Sequence, residues 1–131
     1  MPSPRFLTKE EVLRIHDDQI RSFGGAPGLI DEGLLDSALA QAQVTFNSVL
    51  LHKSIYEQAA AYLYHLIMNH PFLDGNKRTA FAVMDTFLRV NGYKLTLKNN
   101  EAYDLVISVA NCKLDKANLI KFLKSKTRRS G

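Results

Sequence analysis

Residues 54 to 68, SIYEQAAAYLYHLIM, carry apolar side chains on almost every face of a helix, and no other stretch limits the fold so strongly. A helix with Ile55, Ala59, Ala60, Ala61, Tyr62, Leu63, Leu66, Ile67 and Met68 distributed around its axis suits a position surrounded by other helices. It is therefore expected at the centre of the molecule. Glu57, Gln58 and His65 interrupt it, and it is too short and too polar to span a bilayer.

The flanking sequence supplies helices to surround it. Thr8 and Glu11 make a capping box, and Val12, Ile15 and Ile20 follow at helical spacing until Gly24-Gly25 stops the run. Ala26-Pro27-Gly28 reads as a turn, after which Asp31 caps a second helix through Leu34, Leu35, Ala38, Leu39 and Ala42. Its end, near Asn47, is weakly marked. Pro71 ends the central helix and is expected to push His70 towards extended geometry, with Phe72 anchoring the following loop in the core. Another helix runs from Asn76 to Val90 and stops at Asn91-Gly92. A short extended piece at 93–97 and helices over about 100–111 and 116–125, the last capped by Asp115, complete an all-α reading of about six helices.

At 131 residues the chain suits one domain, 1–131, able to bury about two thirds of its unfolded surface. Cys112 is the only cysteine, so an internal disulfide is impossible and no multi-cysteine metal site is expected. The first residues lack the apolar core of a secretion signal, which makes a cytoplasmic location the default. The net charge of +4 is concentrated at one end: residues 121–131 hold Lys121, Lys124, Lys126, Arg128 and Arg129 without an acid. The 17 basic residues less these five leave 12, against 13 acidic. The body is near neutral, residues 125–131 read as a flexible basic tail, and binding to nucleic acid receives little support.

The stretch HPFLDGNKRTAF, residues 70–81, carries the chemistry. Gly75 precedes a helix N-terminus, where unpaired amides and the positive end of the dipole favour phosphate. Lys77 and Arg78 stand in the first turn of that helix, where cations are disfavoured by about 0.3–1 kcal/mol each unless an anion is present. Asp74 could hold a magnesium ion that bridges phosphates. His70 is the nearby group able to take a proton at neutral pH. Each residue also has a structural alternative: Asp74 or Asn76 could cap the helix, and His70 could bond a carbonyl of the preceding one.

His70-Pro71-Phe72-Leu73-Asp74-Gly75-Asn76-Lys77-Arg78 resembles the signature loop of the Fic/Doc family, HxFx[DE][AG]N[GK]R. Most Fic members have a second glycine at the position of Lys77 and a second arginine at that of Phe81; both departures point to the Doc branch. Residues 16–41, HDDQIRSFGGAPGLIDEGLLDSALAQ, are also similar to that branch, whereas the C-terminal third matches only in helical character. The resemblance implies a Fic fold and transfer of part of ATP to a hydroxyl of a protein. It assigns His70 as general base, Asp74 as magnesium ligand, and Gly75, Asn76, Lys77 and Arg78 as the phosphate-binding group. Lysine at 77 implies a kinase that transfers the γ-phosphate. The alternatives are an adenylyltransferase and a non-catalytic module holding a nucleotide or acidic peptide. For Doc-type toxins the target is the translation factor elongation factor Tu, and an antitoxin covers the active site. No Ser or Thr here has Glu four residues on, so the inhibitory motif of many Fic enzymes is missing, and restraint would come from another chain. His16, Asp17 and the glycines of residues 24–28 are expected to be structural.

Overall fold

In a computed structural model, which describes residues 4–130, six α-helices and two small antiparallel ribbons follow one another. Helix α1 (Lys9–Phe23) starts at the Thr8–Glu11 capping box, both of whose hydrogen bonds are made. Helix α2 (Glu32–Ala42) starts at Asp31, whose carboxylate accepts from the Leu34 amide. The ill-defined region after it is a ribbon, β1 (Thr45–Phe46) against β2 (Val49–Leu50), turned by Asn47 and Ser48 at positive φ.

Helix α3 (Ile55–Asn69) is the central helix, opened by a second capping box between Ser54 and Glu57. Eight of its residues are buried, and it packs chiefly on α2, α4 (Asn76–Val90) and α6 (Lys116–Lys126). The sheathing expected from its all-round apolarity is present: Ala59, Ala60, Ala61, Tyr62 and Leu63 are wholly inaccessible. Tyr62 still satisfies its hydroxyl, which accepts from the Leu7 amide at 3.1 Å, and burial pushes its ionisation up to about 12. Phe72 is anchored in the core, as expected.

Two expectations need correction. His70 is not extended but left-handed, at φ 50° and ψ 56°. The proline that follows disfavours the right-handed helical region, and the left-handed one lets the His70 amide close α3 by bonding the Leu66 carbonyl. The basic tail is not frayed either. Residues 125–126 continue α6, and β4 (Thr127–Arg129) pairs antiparallel with β3 (Tyr93–Leu95), while α5 (Asn99–Ala110) lies between them in sequence. Thr127 is buried beside Leu95, and its hydroxyl donates to the Leu123 carbonyl, so the strand gains both burial and hydrogen bonds that an isolated tail lacks. Among the described residues no helix is long and apolar enough to cross a membrane.

Candidate functional site

Helix α4 starts unlike α1, α2, α3 and α6; α5, at Lys98, also lacks a side-chain cap but carries Glu101 in its first turn. Helices α1, α2, α3 and α6 begin with Thr8, Asp31, Ser54 and Asp115, each accepting a backbone N–H. Helix α4 begins at Gly75, which has no side chain to accept one, and its first turn holds Lys77 and Arg78 without an acid. The amides of Asn76, Lys77 and Arg78 therefore lack intrahelical partners and point towards the loop. Such an end is weak as folding chemistry and well suited to an anion.

The loop in front of it is held from three sides. Asn76 is buried, and its amide group clasps Phe72, accepting from the Phe72 N–H at 2.9 Å and donating to the Phe72 carbonyl at 2.8 Å. What Asn76 offers a ligand is its backbone N–H, since its side chain braces the loop. His16 of α1 is stacked on the Phe72 ring at 3.8 Å, and its Nε2 donates to the Asp74 carbonyl at 2.8 Å. From the third side the segment after α1 runs alongside: Leu29 bridges Phe72, the Ile30 amide donates to the Pro71 carbonyl, and the Leu73 amide donates to the Gly28 carbonyl.

Those braces leave four side chains facing solvent. His70 is exposed, and its imidazole makes no hydrogen bond among the described residues, so only its backbone amide caps the preceding helix. Lys77 is exposed. Arg78 turns back over the Phe23 ring and donates to the Gly24 carbonyl at 2.9 Å, which leaves the rest of its guanidinium free. The Asp74 carboxylate accepts from the Ala26 amide at 3.2 Å and the Gly75 amide at 2.8 Å; these bonds, aided by the Arg78 charge, hold its ionisation below the usual carboxylate range. Gly25 makes this approach possible. At φ +118° a side chain is disfavoured, and a Cβ there would stand 2.8 Å from Asp74 Oδ2.

His70, Asp74, Gly75, Asn76, Lys77 and Arg78 all line one open cavity of about 740 Å³. Its far wall is α5, through Ala102, Tyr103, Val106 and Ile107, and its floor continues along α4 through Phe81 and Asp85. Sequence reasoning missed both surfaces. Lys77, Phe81 and Asp85 recur every fourth residue, so a shared face of α4 was legible; nothing local says that α5 closes the opposite side. The volume and the mixture of a charged end with an apolar wall fit a nucleotide. An anionic Asp74 beside a helix end suited to phosphate fits magnesium, which takes one or two carboxylates with phosphate oxygens and water. Among the described residues no cluster of three or more His, Cys, Asp or Glu stands ready to bind a metal, so most ligands of an ion at Asp74 would come from phosphate and solvent.

A loop of this kind, set between a buried central helix and an uncapped helix N-terminus, defines a class. The profile of the Fic/DOC family matches residues 6–88, and the chain belongs to that family. Within it, the chain is similar to Toxin Doc of Mycolicibacterium smegmatis, 40% identical over 114 residues that cover 84% of this chain and 85% of that protein. It is also similar to Protein kinase doc of Escherichia phage P1, 33% identical over 108 residues covering 81% of this chain and 82% of the phage protein.

Proposed function

We propose that this chain is a Doc-like toxin: a protein kinase of the cytoplasm that moves the γ-phosphate of ATP to a Ser or Thr hydroxyl of a translation factor, elongation factor Tu, and so arrests translation. The observation that carries the reading is the cavity wall on which His70, Asp74 and the uncapped, doubly cationic start of α4 lie together. Similarity to a protein kinase and to a toxin supports the direction of transfer and the biological role.

His70 accepts the proton of the target hydroxyl as its oxygen forms the new bond to the γ-phosphorus, and the bond from that phosphorus to the bridging oxygen of the departing ADP breaks. The exposed imidazole on a rigid corner can reach a protein surface, which a buried one could not. The amides of Asn76, Lys77 and Arg78, with the Lys77 and Arg78 charges, bind phosphate oxygens and stabilise the charge that spreads over them. Asp74 would hold magnesium, which neutralises phosphate charge when bound. An antitoxin supplied by another chain would cover the cavity, since Phe23, Leu73 and Tyr103 leave exposed apolar surface along it.

The test is transfer from ATP labelled at the α- or the γ-phosphate to purified elongation factor Tu. Label arriving from the γ-position is expected. Label from the α-position would replace the kinase with an adenylyltransferase, and no transfer to any protein, with nucleotide still bound, would leave a binding module.

A further inference from the structure

The basic C-terminus, expected to be a solvated tail, is one strand of a folded ribbon, and its charges are set in a fixed pattern. Leu95 and Thr127 turn inward and are buried; Lys94 and Arg128, one residue away on each strand, are directly opposite each other and exposed on the outer face. The hydrogen bonds from Thr96 N to Lys126 O at 2.8 Å and from Ser130 N to Gly92 O at 2.9 Å flank this pair. That register makes it a hydrogen-bonded pair, with Cα atoms about 5.5 Å apart. Like charges so placed destabilise a ribbon. Neither side chain forms an ion pair among the described residues, and the neighbouring acid Glu101 already holds Lys126 at 3.5 Å. Lys121 and Lys124, exposed on α6, extend the basic character next to the strand.

We propose that the outer face of the β3–β4 ribbon is a second binding surface, one that takes the phosphate backbone of nucleic acid. Two cations one strand spacing apart, with no anion between them, can grip one phosphate from both sides, and the Arg128 fork adds paired hydrogen bonds. Evenly spaced backbone phosphates suit such a row of cations without any reading of bases. An anionic membrane is the weaker fit, because a membrane-surface element sets apolar anchors beside its cations, and the outward positions of this ribbon are Lys94 and Arg128 alone. The ribbon adjoins the C-terminal end of α4, and the cationic end of the cavity, at Lys77 and Arg78, lies at its N-terminal end, about 20 Å away by helix length. The two surfaces are therefore separate.

The experiment is fluorescence anisotropy of the full chain with labelled single-stranded RNA and duplex DNA of about 20 nucleotides, between about 50 and 200 mM salt. Binding is expected at low salt, weakening about tenfold or more across that range. Lys94→Gln with Arg128→Gln should lower the salt slope by about 0.7–0.9, the release expected from the one phosphate the pair grips. The same double variant should melt no lower than the parent, because the opposed charges are gone. Lys121→Gln with Lys124→Gln, which leaves the ribbon untouched, should also reduce the slope. A Lys77→Glu change in the cavity should not. Absence of binding at low salt, or an unchanged slope in the ribbon variant, overturns the proposal. So does binding confined to phosphatidylglycerol vesicles, which would reassign the face to a membrane.

Discussion

His70 is held at a helix terminus in a left-handed conformation that asparagine tolerates well, so His70→Asn is expected to keep the fold. If His70 is the base, phosphoryl transfer should fall about 10²–10⁴-fold while the melting temperature stays put; retained transfer would remove the assignment. Gly25→Ala asks the opposite question, because the residue does not line the cavity. Its φ of +118° and the approach to Asp74 predict a loss of about 1–2 kcal/mol in denaturant unfolding, together with weakened magnesium dependence as the carboxylate is pushed aside. Away from the site, burial first and the Lys116 charge second depress His65 to about 4, and Lys116 Nζ donates to its Nε2 at 2.7 Å. A depressed folded pKa means that the unfolded chain binds the proton more readily. Stability from this group is thus complete above about 6.5, declines as pH falls through that window, and levels off below about 4. His52, lowered by burial, acts with the same sign. Melting curves between pH 7 and pH 4 should therefore slope downward, less steeply in His65→Gln, which keeps an acceptor for Lys116.

Helix starts show how folding and function divide at the scale of an element. Ser54 and Thr8 each close a capping box, and replacing either with Ala should cost about 1 kcal/mol with no effect on phosphate binding. At α4 the same physics runs the other way. Lys77→Glu replaces a cation with an anion at the positive end of the helix dipole, so it should stabilise the chain by about 0.3–1 kcal/mol at low ionic strength. It should also abolish or sharply weaken nucleotide binding, measured by calorimetry. A variant that is more stable and less able to bind would show that the charges at the start of α4 are kept for a ligand; a variant destabilised and still able to bind would contradict that view.

Across the whole molecule, stability concentrates where α3 meets α2, α4 and α6. Leu63→Ala at that junction should cost about 2–5 kcal/mol, because a wholly buried side chain leaves a cavity its helical neighbours cannot close. Deleting residues 127–131 tests the folded end of the chain. A frayed tail would be dispensable, whereas loss of β4 should lower stability by about 1–3 kcal/mol as ribbon hydrogen bonds go and Leu95 is uncovered. The helices themselves were legible in sequence, since capping boxes, apolar spacing and glycine or proline stops act between residues within one or two turns. So was the placement of residues 70–78 around a helix start, because residue types and the Gly75 stop carry it. Only the tertiary structure decided that Asn76 braces its own loop, that His16 stacks on Phe72, that residues 24–31 run alongside the loop, that α5 closes the cavity and that the basic end becomes a strand. Each of those depends on backbones or side chains brought together across the fold or turned inward by it. Local preference sets which conformations a segment favours, but burial and hydrogen bonds from a distant partner select among them: Pro71 disfavours one basin for His70, and Leu95 with Thr127 turns a charged tail into an ordered edge.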